Sequence, residues 1–438
     1  MKAIYESPLP DGWNEQPLAK LVVTRRGYTW EKADEVERTE SDTVPVIRIP
    51  NVQDTLDLSD LVHLRNVSAQ AIEKAAVSKN WLLFVGSNGT QDRIGDSVLI
   101  EEDRPMVFAS FLMGIQPKEQ DKLRSDFFAH WMRLHLVHEI FSKTSQQTTG
   151  LANFSWGAVK RLPVRYPVST EEQRRIAAAL KLADEAIQKA RAELAATREL
   201  KRSLLRKVFV DGVAQPLGMR HSKWISCPAH WSVKPLRRFA AITSGFTMGR
   251  DLSRHETVSV PYVTVVNVLD GRFDLNGIGR IEIKQQELET DLLRYGDVLM
   301  TEGGDRDKLG RGGMWREEVV PCSYQNHIFR VRLDTDEYMP ELFHFYIQTY
   351  QAKNYFNAHA KQTSNLCSIN SRELKGWPVP VPPMEEQEIM VRLLQSAETQ
   401  ALAVEEKIVA LEKMKRSLLQ NLLTGRLRIP EGVLNVRD

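Results

Sequence analysis

The chain contains the same pair of short motifs twice, with the same separation inside each copy. Glu-Glu-Gln at residues 171–173 precedes Lys-Arg-Ser-Leu-Leu at 201–205, and both motifs recur with a single offset in numbering, at 385–387 and at 415–419. Insertions and deletions accumulate in loops, whereas each residue added to a helix lengthens it by about 1.5 Å. The unchanged separation therefore predicts a tandem duplication that contains two long helices of equal length.

The duplication extends beyond the helices, at offsets that change in small steps along the chain. The repeated residues are Pro10, Trp13 and Gly27 with Pro228, Trp231 and Gly245; Val44-Pro45 and Asn51-Val52 with Val260-Pro261 and Asn267-Val268; and Gly89, Gly95 and Pro163-Val164 with Gly304, Gly310 and Pro378-Val379. Between these positions the halves share little sequence. We interpret this as one fold used twice for two versions of the same task.

Composition limits the class of protein but does not identify it. The chain has 438 residues, of which 42% are hydrophobic, and a formal net charge of +2, so charge alone does not indicate a nucleic-acid-binding protein. Cys227, Cys322 and Cys367 are isolated, without a metal-ligand spacing, and are predicted to be reduced thiols. Because no apolar stretch approaches the ~18 residues of a membrane span and no leader pattern is present, we expect a soluble cytoplasmic protein.

The repeat predicts four consecutive parts: a globular domain over 1–168, a spacer helix over 169–212, a second globular domain over 213–383, and a C-terminal helix and tail over 384–438. Strand-like runs at 44–49, 81–85 and 260–269 and helical spacing at 121–141 predict mixed α+β domains. Pro163 and Pro167 predict an extended exit into the first helix, with an N-cap at Ser169 or Thr170.

Each predicted helix carries one apolar stripe with alternating spacings of three and four residues, which is typical of a coiled coil. Because such a helix is unstable alone and the two stripes share one phase, we predict antiparallel pairing about a pseudo-twofold axis. The basic residues near the helix ends are expected to complement the helix dipole, with docking as the alternative. The predicted helix–helix packing residues are Ile176, Leu180, Ile187, Leu194 and Leu204 in the first helix and Met390, Leu394, Val404, Ile408, Leu411 and Leu418 in the second.

Few residue patterns in the chain resemble a catalytic motif. The chain has no GxxxxGK[ST] phosphate loop, and residues 381–384 lack the Asn or Asp and the aromatic residue of an adenine methyltransferase motif. Asp274, Glu282 and Lys284 could form the acidic pair and lysine of a metal-dependent nuclease, although this spacing is common by chance. We therefore predict no catalytic residue and no metal site, and keep the nuclease as an alternative.

A glycine-rich stretch at 303–313 is either a phosphate-binding loop or a set of turns between strands. Its basic residues, the matching region of the first half and a polar pair before the first exit are our candidates for contact with DNA. They are Arg93, Gln146, Gln147, Arg306, Lys308 and Arg311.

The order of these features resembles the specificity subunits of type I restriction–modification systems, over nearly the whole chain. The motifs that carry the resemblance are residues 378–387, from the proline-rich exit to Glu-Glu-Gln; the first-half version at 162–173; and Ser364-Asn365-Leu366 with its first-half match Thr149-Gly150-Leu151. The helix ends depart slightly, with Thr424-Gly425 against Val210-Asp211-Gly212.

The resemblance implies two target-recognition domains that each read one half of a split double-stranded DNA site, separated by helices that set the gap and dock partners. It implies two methylation subunits, which use S-adenosylmethionine, and ATP- and Mg-dependent restriction subunits, with no cofactor in this chain and no membrane partner. A coiled-coil adaptor without a nucleic-acid role is the other alternative.

Overall fold

The computed structural model describes residues 5, 7–37, 42–148, 151–214, 218–288, 291–363 and 366–432. The chain divides into two compact units, one formed by Met1–Ala190 with Lys407–Asp438 and the other by Arg191–Glu406. Each unit contains one globular domain and a part of each long helix. Of the motif residues above, Thr149, Gly150, Ser364 and Asn365 lie outside the described residues.

Over its described residues, the first globular domain combines short helices with four sheets of two to five strands. Its helices are α1 (Leu18–Leu21), α2 (Ala69–Ala75), α3 (Ser125–Met132), α4 (His135–Lys143) and α5 (Trp156–Val159), and α6 (Thr170–Asp211) follows it. Its strands are β1 (Trp13–Pro17), β2 (Val22–Arg26), β3 (Glu35–Val36), β4 (Val44–Ile47), β5 (Val62–Leu64), β6 (Ala76–Val77), β7 (Leu82–Val85), β8 (Ser87–Asn88), β9 (Ser97–Leu99), β10 (Arg104–Phe108), β11 (Leu112–Pro117), β12 (Gln146–Thr148), β13 (Leu151–Asn153) and β14 (Pro163–Pro167).

The second globular domain has the same kinds of element. Its helices are α7 (Pro340–Tyr346), α8 (Tyr350–His359) and α9 (Ser371–Gly376), and α10 (Met384–Leu422) follows it. Its strands are β15 (Met219–His221), β16 (Ser226–Pro228), β17 (Ser232–Pro235), β18 (Ala240–Ser244), β19 (Thr257–Val263), β20 (Gly279–Lys284), β21 (Val298–Thr301), β22 (Gly303–Gly304), β23 (Gly312–Met314), β24 (Ser323–Tyr324), β25 (Ile328–Leu333), β26 (Lys361–Thr363), β27 (Leu366–Ser368) and β28 (Pro378–Val381).

The sheets of the two domains correspond in strand order. The antiparallel sheet β2-β11-β7-β9 matches β18-β25-β21-β23, and the sheet β12-β13-β8 matches β26-β27-β22. In each domain the proline-rich exit strand pairs with the opening strand, as β1 with β14 and as β17 with β28. The first domain also has a five-stranded sheet, β3-β5-β4-β10-β6, where the second has the three strands β20-β19-β24. The predicted duplication of one α+β fold is confirmed.

Two predicted strands end early for the same reason. The runs predicted over 44–49 and 260–269 end as strands at Ile47 and Val263, because a 3-10 turn follows each. The side-chain oxygen of buried Asn51 accepts the N–H of Arg48, and that of Asn267 accepts the N–H of Thr264, both at 2.8 Å. These asparagines cap the turns and stop the strands.

The helical spacing at 121–141, which predicts short helices, corresponds to α3 and α4 with a break between them. Leu134 between them has an extended backbone (ψ 130°) and a buried side chain, so the chain turns there to bury Leu134. Helical spacing does not reveal this break because apolar residues continue through it.

The two long helices run antiparallel where they pair. In the second unit, Arg198 of α6 contacts Glu405 of α10 (2.7 Å) and Lys201 contacts Glu398 (2.9 Å), so residue numbers rise on α6 as they fall on α10. The end of α6 and the start of α10 share a buried cluster there. In the first unit, the start of α6 and the end of α10 share another.

The helix boundaries and the stripe also agree with the sequence. α6 begins after Ser169, whose Oγ accepts the N–H of Glu172 (3.3 Å), and α10 begins at Met384, the first residue of the predicted C-terminal part. Of the predicted packing residues, Ile176, Leu180, Ile187, Met390, Leu394 and Val404 are buried, and Leu194, Leu204, Ile408, Leu411 and Leu418 are half-buried.

Candidate functional site

The glutamine of each Glu-Glu-Gln motif joins the start of a long helix to its globular domain. The side-chain oxygen of Gln173 accepts the N–H of Arg124 (2.9 Å), and its amide donates to the carbonyls of Lys122 (2.9 Å) and Pro167 (2.8 Å). Gln173 is fully buried, so these bonds exclude water. The glutamine therefore holds the exit strand, the helix and the domain at one point.

The second domain repeats this junction. Gln387 is also fully buried; its oxygen accepts the N–H of Met339 (2.9 Å), and its amide donates to the carbonyls of Glu337 and Pro382 (both 2.9 Å). The repeated motif predicted two long helices but not this role of its glutamine.

In each domain two backbone segments cross closely at a repeated glycine. A Cβ built on Gly27 would lie 2.1 Å from the carbonyl oxygen of Ala109, and one built on Gly245 would lie 2.0 Å from that of Tyr324. Only glycine fits such a crossing without moving the backbone. Both domains thus position the strands after this crossing in the same way.

The end of each long helix reaches the opening segment of a globular domain through another glycine pair. Gly212 (φ +78°) lies against Pro228 and Trp231, and Gly425 (φ +71°) lies against Pro10 and Trp13. The slight sequence departure at the two helix ends does not change this packing.

The predicted DNA-contact residues lie at one small sheet in each domain, which we call the hairpin sheet: β12-β13-β8 in the first domain and β26-β27-β22 in the second. Gln146 and Gln147 form the edge strand β12, while their side chains lie outside the described part of the chain. Arg93 lies in the segment between β8 and β9, and Arg306, Lys308 and Arg311 lie between β22 and β23. The candidates of each half therefore lie either in the hairpin sheet or in the segment that follows its strand β8 or β22.

The register of the hairpin sheets matches row by row. In the first domain one row joins Gln147, Ala152 and Asn88; in the second the equivalent row joins Gln362, Cys367 and Gly304. The structure therefore places Gly304 at the position of Asn88, one residue before the Gly89 that the sequence repeat pairs with it. Lys361 and Gln362 are thus the equivalents of Gln146 and Gln147, and they are absent from the residues predicted to contact DNA. The offset that relates Pro163 to Pro378, applied to these glutamines, could have found them.

Two of the candidate arginines are engaged inside their own domains. Arg93 donates to Asp96 Oδ2 (3.0 Å) and to the carbonyl of Val52 (2.7 Å). Arg311 is half-buried and donates to the carbonyl of Val265 (3.2 Å). Each guanidinium has further N–H donors beyond these bonds, so the assignment of both arginines to DNA stays a prediction.

The remaining basic residues of the second hairpin sheet face solvent. Arg306 and Lys361 are exposed, and Lys308 is exposed while its ammonium contacts Asp305. The hydrogen bond and charge of Lys308 lower the pKa of the Asp305 carboxyl. Glycine-rich residues 303–313 form two short strands with a 3-10 turn between them, as the turn interpretation predicted.

The residues of the nuclease alternative take part in local structure. The Asp274 carboxylate accepts the N–H of Asn276 (3.1 Å), and the N–H of Lys284 donates to Glu287 (2.7 Å). Among the described residues, no group of three or more His, Cys, Asp or Glu side chains is arranged to hold a metal ion. No helix in the described ranges is long and apolar enough to cross a membrane.

Comparison with known proteins agrees with the duplicated architecture. The model of the family described as "Type I restriction modification DNA specificity domain" matches the chain twice, over residues 10–195 and 228–413. The chain is 25% identical over 426 residues to the type I restriction enzyme EcoKI specificity subunit of Escherichia coli (strain K12), covering 96% of this chain and 89% of that protein. It is 21% identical over 428 residues to the StySPI specificity subunit of Salmonella potsdam, with the same coverage of 96% and 89%.

A solved structure has the same fold. The S subunit of a type I restriction–modification system from M. genitalium superposes with a TM-score of 0.56 at 13% identity, covering 95% of this chain and 98% of that one. The two family matches, each of which begins in a globular domain and ends in a long helix, reproduce the repeat found in the sequence. This chain belongs to the family of type I restriction–modification DNA specificity proteins.

Proposed function

We propose that the chain is the specificity subunit of a type I restriction–modification complex and that each globular domain reads one half of a bipartite, asymmetric DNA site. One observation carries the proposal: the two domains share a frame, while the hairpin sheets differ in their side chains. The row Gln147-Ala152-Asn88 in the first domain stands where Gln362-Cys367-Gly304 stands in the second. Two readers with different surfaces recognise two different half-sites, because sequence is read by side chains at base edges.

The hairpin sheets and the turns beside them are the proposed DNA-contacting surfaces. Arg306 and Lys361 are exposed cations that suit contact with phosphate or with guanine. Arg93, Gln146, Gln147, Lys308 and Arg311 remain candidates at the same surfaces. Loss of a base-reading arginine costs about 1–3 kcal/mol at one site position, whereas loss of a phosphate contact weakens binding to all sequences alike.

The proposed parts are the two recognition domains, 1–168 and 213–383, and the helical parts, 169–212 and 384–438. The helices set the gap between the half-sites and dock two methylation subunits. We assign catalysis to the methylation and restriction subunits, together with S-adenosylmethionine, ATP and Mg. This chain is then non-catalytic and holds no cofactor.

Exchange of one domain tests the proposal. Residues 219–381 are replaced by the equivalent segment of a family member with a different target, and methylated adenines are mapped in host DNA with and without the chain. One half of the methylated site should change while the other half and the gap stay the same.

The reciprocal exchange of residues 13–167 is the matched control and should change the other half. A change of both halves in either exchange would exclude independent readers. Methylation that does not depend on the chain would favour the adaptor alternative, and cleavage of DNA by the purified chain without partners would favour the nuclease.

A further inference from the structure

The apolar stripe of each long helix is interrupted by one lysine at the same place. Lys201 and Lys415 occupy equivalent stripe positions in the repeated Lys-Arg-Ser-Leu-Leu motif and are largely buried, with 18% and 15% of the side chain exposed. An ammonium in an apolar interface is destabilising unless it is paired and hydrogen-bonded. Both lysines therefore require an acidic partner.

In the second unit the partner of Lys201 is on the other helix. Its Nζ donates to Glu398 Oε1 (2.9 Å) and to Gln348 Oε1 (3.1 Å), and Nε2 of buried His344 lies 3.6 Å from the same carboxylate oxygen. Burial alone would raise the pKa of Glu398, but His344 and Lys201 outweigh it and lower that pKa to about 2. The carboxylate is ionised and balances the lysine.

In the first unit the same arrangement recurs with the helices exchanged. Lys415 of α10 contacts Asp184 of α6, whose other carboxylate oxygen lies 3.2 Å from Arg133 Nη1. His130 is buried nearby, where burial and the positive charges of Arg133 and Lys415 lower its pKa to about 3, so it stays neutral. Arg133 here takes the second contact to the acid that His344 makes in the other unit.

The three members of the cluster are equivalent under the repeat. Asp184 and Glu398, Lys201 and Lys415, and His130 and His344 are all related by the offset that relates the two Glu-Glu-Gln motifs. The acid precedes the lysine by the same interval on each helix, and each lysine pairs with the acid of the other helix. Each helix thus carries both halves of a complementary pair.

This pattern fits one arrangement of the helices. A parallel pairing in equal phase would place Lys201 against Lys415 and acid against acid. An antiparallel pairing displaced by one heptad would face Asp184 with Ile408 or Leu422, according to the direction of the shift. A buried charge without a partner destabilises a helix pair far more than a formed ion pair stabilises it. Such ion pairs therefore act chiefly by destabilising the other arrangements of the helices.

We propose that the ion pairs Lys201–Glu398 and Lys415–Asp184 select the antiparallel register of α6 and α10. Resting on the function proposed above, they are then positioning residues for DNA recognition, because the helix register determines the gap between the half-sites. The apolar stripe stabilises the helix pair, and the ion pairs exclude the other registers that the stripe alone would permit.

Disulfide trapping in the full-length chain measures the register without DNA. The register places Thr197 of α6 opposite Ala401 of α10, so the pair Thr197→Cys with Ala401→Cys reports the native register. Leu204→Cys with Ala401→Cys reports a displacement of one heptad. Each reporter is placed in the unaltered chain and in an apolar variant (Lys201→Leu, Lys415→Leu, Asp184→Ala, Glu398→Ala).

The unaltered chain should form the native disulfide and almost none of the displaced one. In the apolar variant the displaced disulfide should rise at least about tenfold, which corresponds to about 1.4 kcal/mol. Arg133 loses Asp184 but keeps its bonds to the carbonyls of Asp54 and Ser97, and His344 keeps the N–H of Met314. Arg316, which loses a 3.9 Å contact with Glu398, is exposed to solvent over 40% of its side chain. Exclusive formation of the native disulfide in a folded apolar variant would overturn the proposal.

A milder variant keeps the test decisive if the fourfold one does not fold. Lys201→Leu with Glu398→Ala removes one pair and leaves Lys415–Asp184, and the displaced disulfide should again rise, by a smaller factor; its absence in this folded variant would also overturn the proposal. Because trapping needs neither DNA nor partner subunits, failure of the proposed function alone would leave this result intact.

Discussion

The two globular domains use the same residues for position and different residues at the hairpin sheet. Gln173 and Gln387 make matching sets of three hydrogen bonds, and Gly27 and Gly245 sit at matching backbone crossings. At the hairpin sheet, by contrast, Asn88 of the first domain bonds Thr90, while its equivalent in the second domain is Gly304. The repeated residues are those whose contacts are internal to the fold.

The fold must meet two separate requirements, which are to hold each helix to its domain and to present a surface that recognises a ligand. Contacts that hold a helix to a domain have a single solution, because a buried amide or a backbone crossing tolerates no substitute. A surface that recognises a ligand changes with the ligand. The same substitution made at equivalent positions of the two domains therefore shows whether that position contributes equally to both domains.

The largest effect is expected from lengthening the two long helices together. Seven residues inserted after Leu194 in α6 and seven inserted opposite them, after Ala403 in α10, keep the stripe in phase and add about 10.5 Å, or about three base pairs. Methylation at the original sites should disappear and appear at sites whose gap is about three base pairs longer, with both half-sites unchanged. Mapping methylated adenines in host DNA measures this.

The control for this change is the same insertion in α6 alone. It leaves one heptad of the stripe without a partner, so methylation should be lost rather than moved. If the doubly extended chain stayed active at the original gap, the helices would be linkers and their equal length would have no functional meaning.

A large loss of stability is expected at the backbone crossings, equally in both domains. Gly27→Ala and Gly245→Ala each place a Cβ about 2 Å from a backbone carbonyl oxygen, so the strands must separate. Each should lower the free energy of unfolding of its own domain by at least about 3 kcal/mol. Urea denaturation followed by hydrogen exchange in each domain measures both.

Gly157→Ala is the matched control for these changes. Gly157 is exposed in α5 with open space around its Cα, so alanine should be neutral or slightly stabilising. Unequal losses for Gly27→Ala and Gly245→Ala would show that the two crossings differ in their importance.

An intermediate loss is expected at the helix junctions. Gln173→Ala and Gln387→Ala each leave a buried N–H and two buried carbonyls without a partner, at a cost of about 2–3 kcal/mol. Each variant should shift the urea midpoint of its own domain by a similar amount. Gln70→Ala and Gln286→Ala, at exposed positions of the two domains, are the controls and should change little. A loss in one domain only would contradict a shared junction.

The sequence predicted the frame because its anchors are a repeat of identical residues. The constant offset between the paired motifs predicted two equal helices and their stripe, and Pro163 and Pro378 predicted the exit strands, since proline excludes helix at those positions. The break between α3 and α4 was not predictable, because Leu134 leaves the helix in order to bury its side chain, a tertiary effect that helical spacing does not record.

The ion pairs between the two long helices could have been predicted from the sequence but were not. Lys201 and Lys415 repeat, yet their partners differ in identity as Asp184 and Glu398, and His130 and His344 lie in segments that otherwise share little sequence. Individual side-chain contacts were harder to predict from the sequence. The bond of Arg93 to the carbonyl of Val52 depends on how distant segments pack, so the sequence did not show that this candidate for DNA contact also bonds inside its own domain.

The smallest effect is expected at the opening tryptophans, where the halves look alike in sequence but differ in hydrogen bonding. Trp231 Nε1 donates to Glu386 Oε2 (3.1 Å), whereas Nε1 of buried Trp13 has no hydrogen-bond partner among the described residues. The equivalent glutamate, Glu172, instead accepts two bonds from Arg428 in the C-terminal segment.

Trp231→Phe and Trp13→Phe remove the same volume, but only the first removes a bond to a carboxylate. Trp231→Phe should therefore cost about 1 kcal/mol more than Trp13→Phe in urea denaturation resolved by domain. Equal costs would mean that His230, which also contacts Glu386 (2.6 Å), compensates fully for the lost bond.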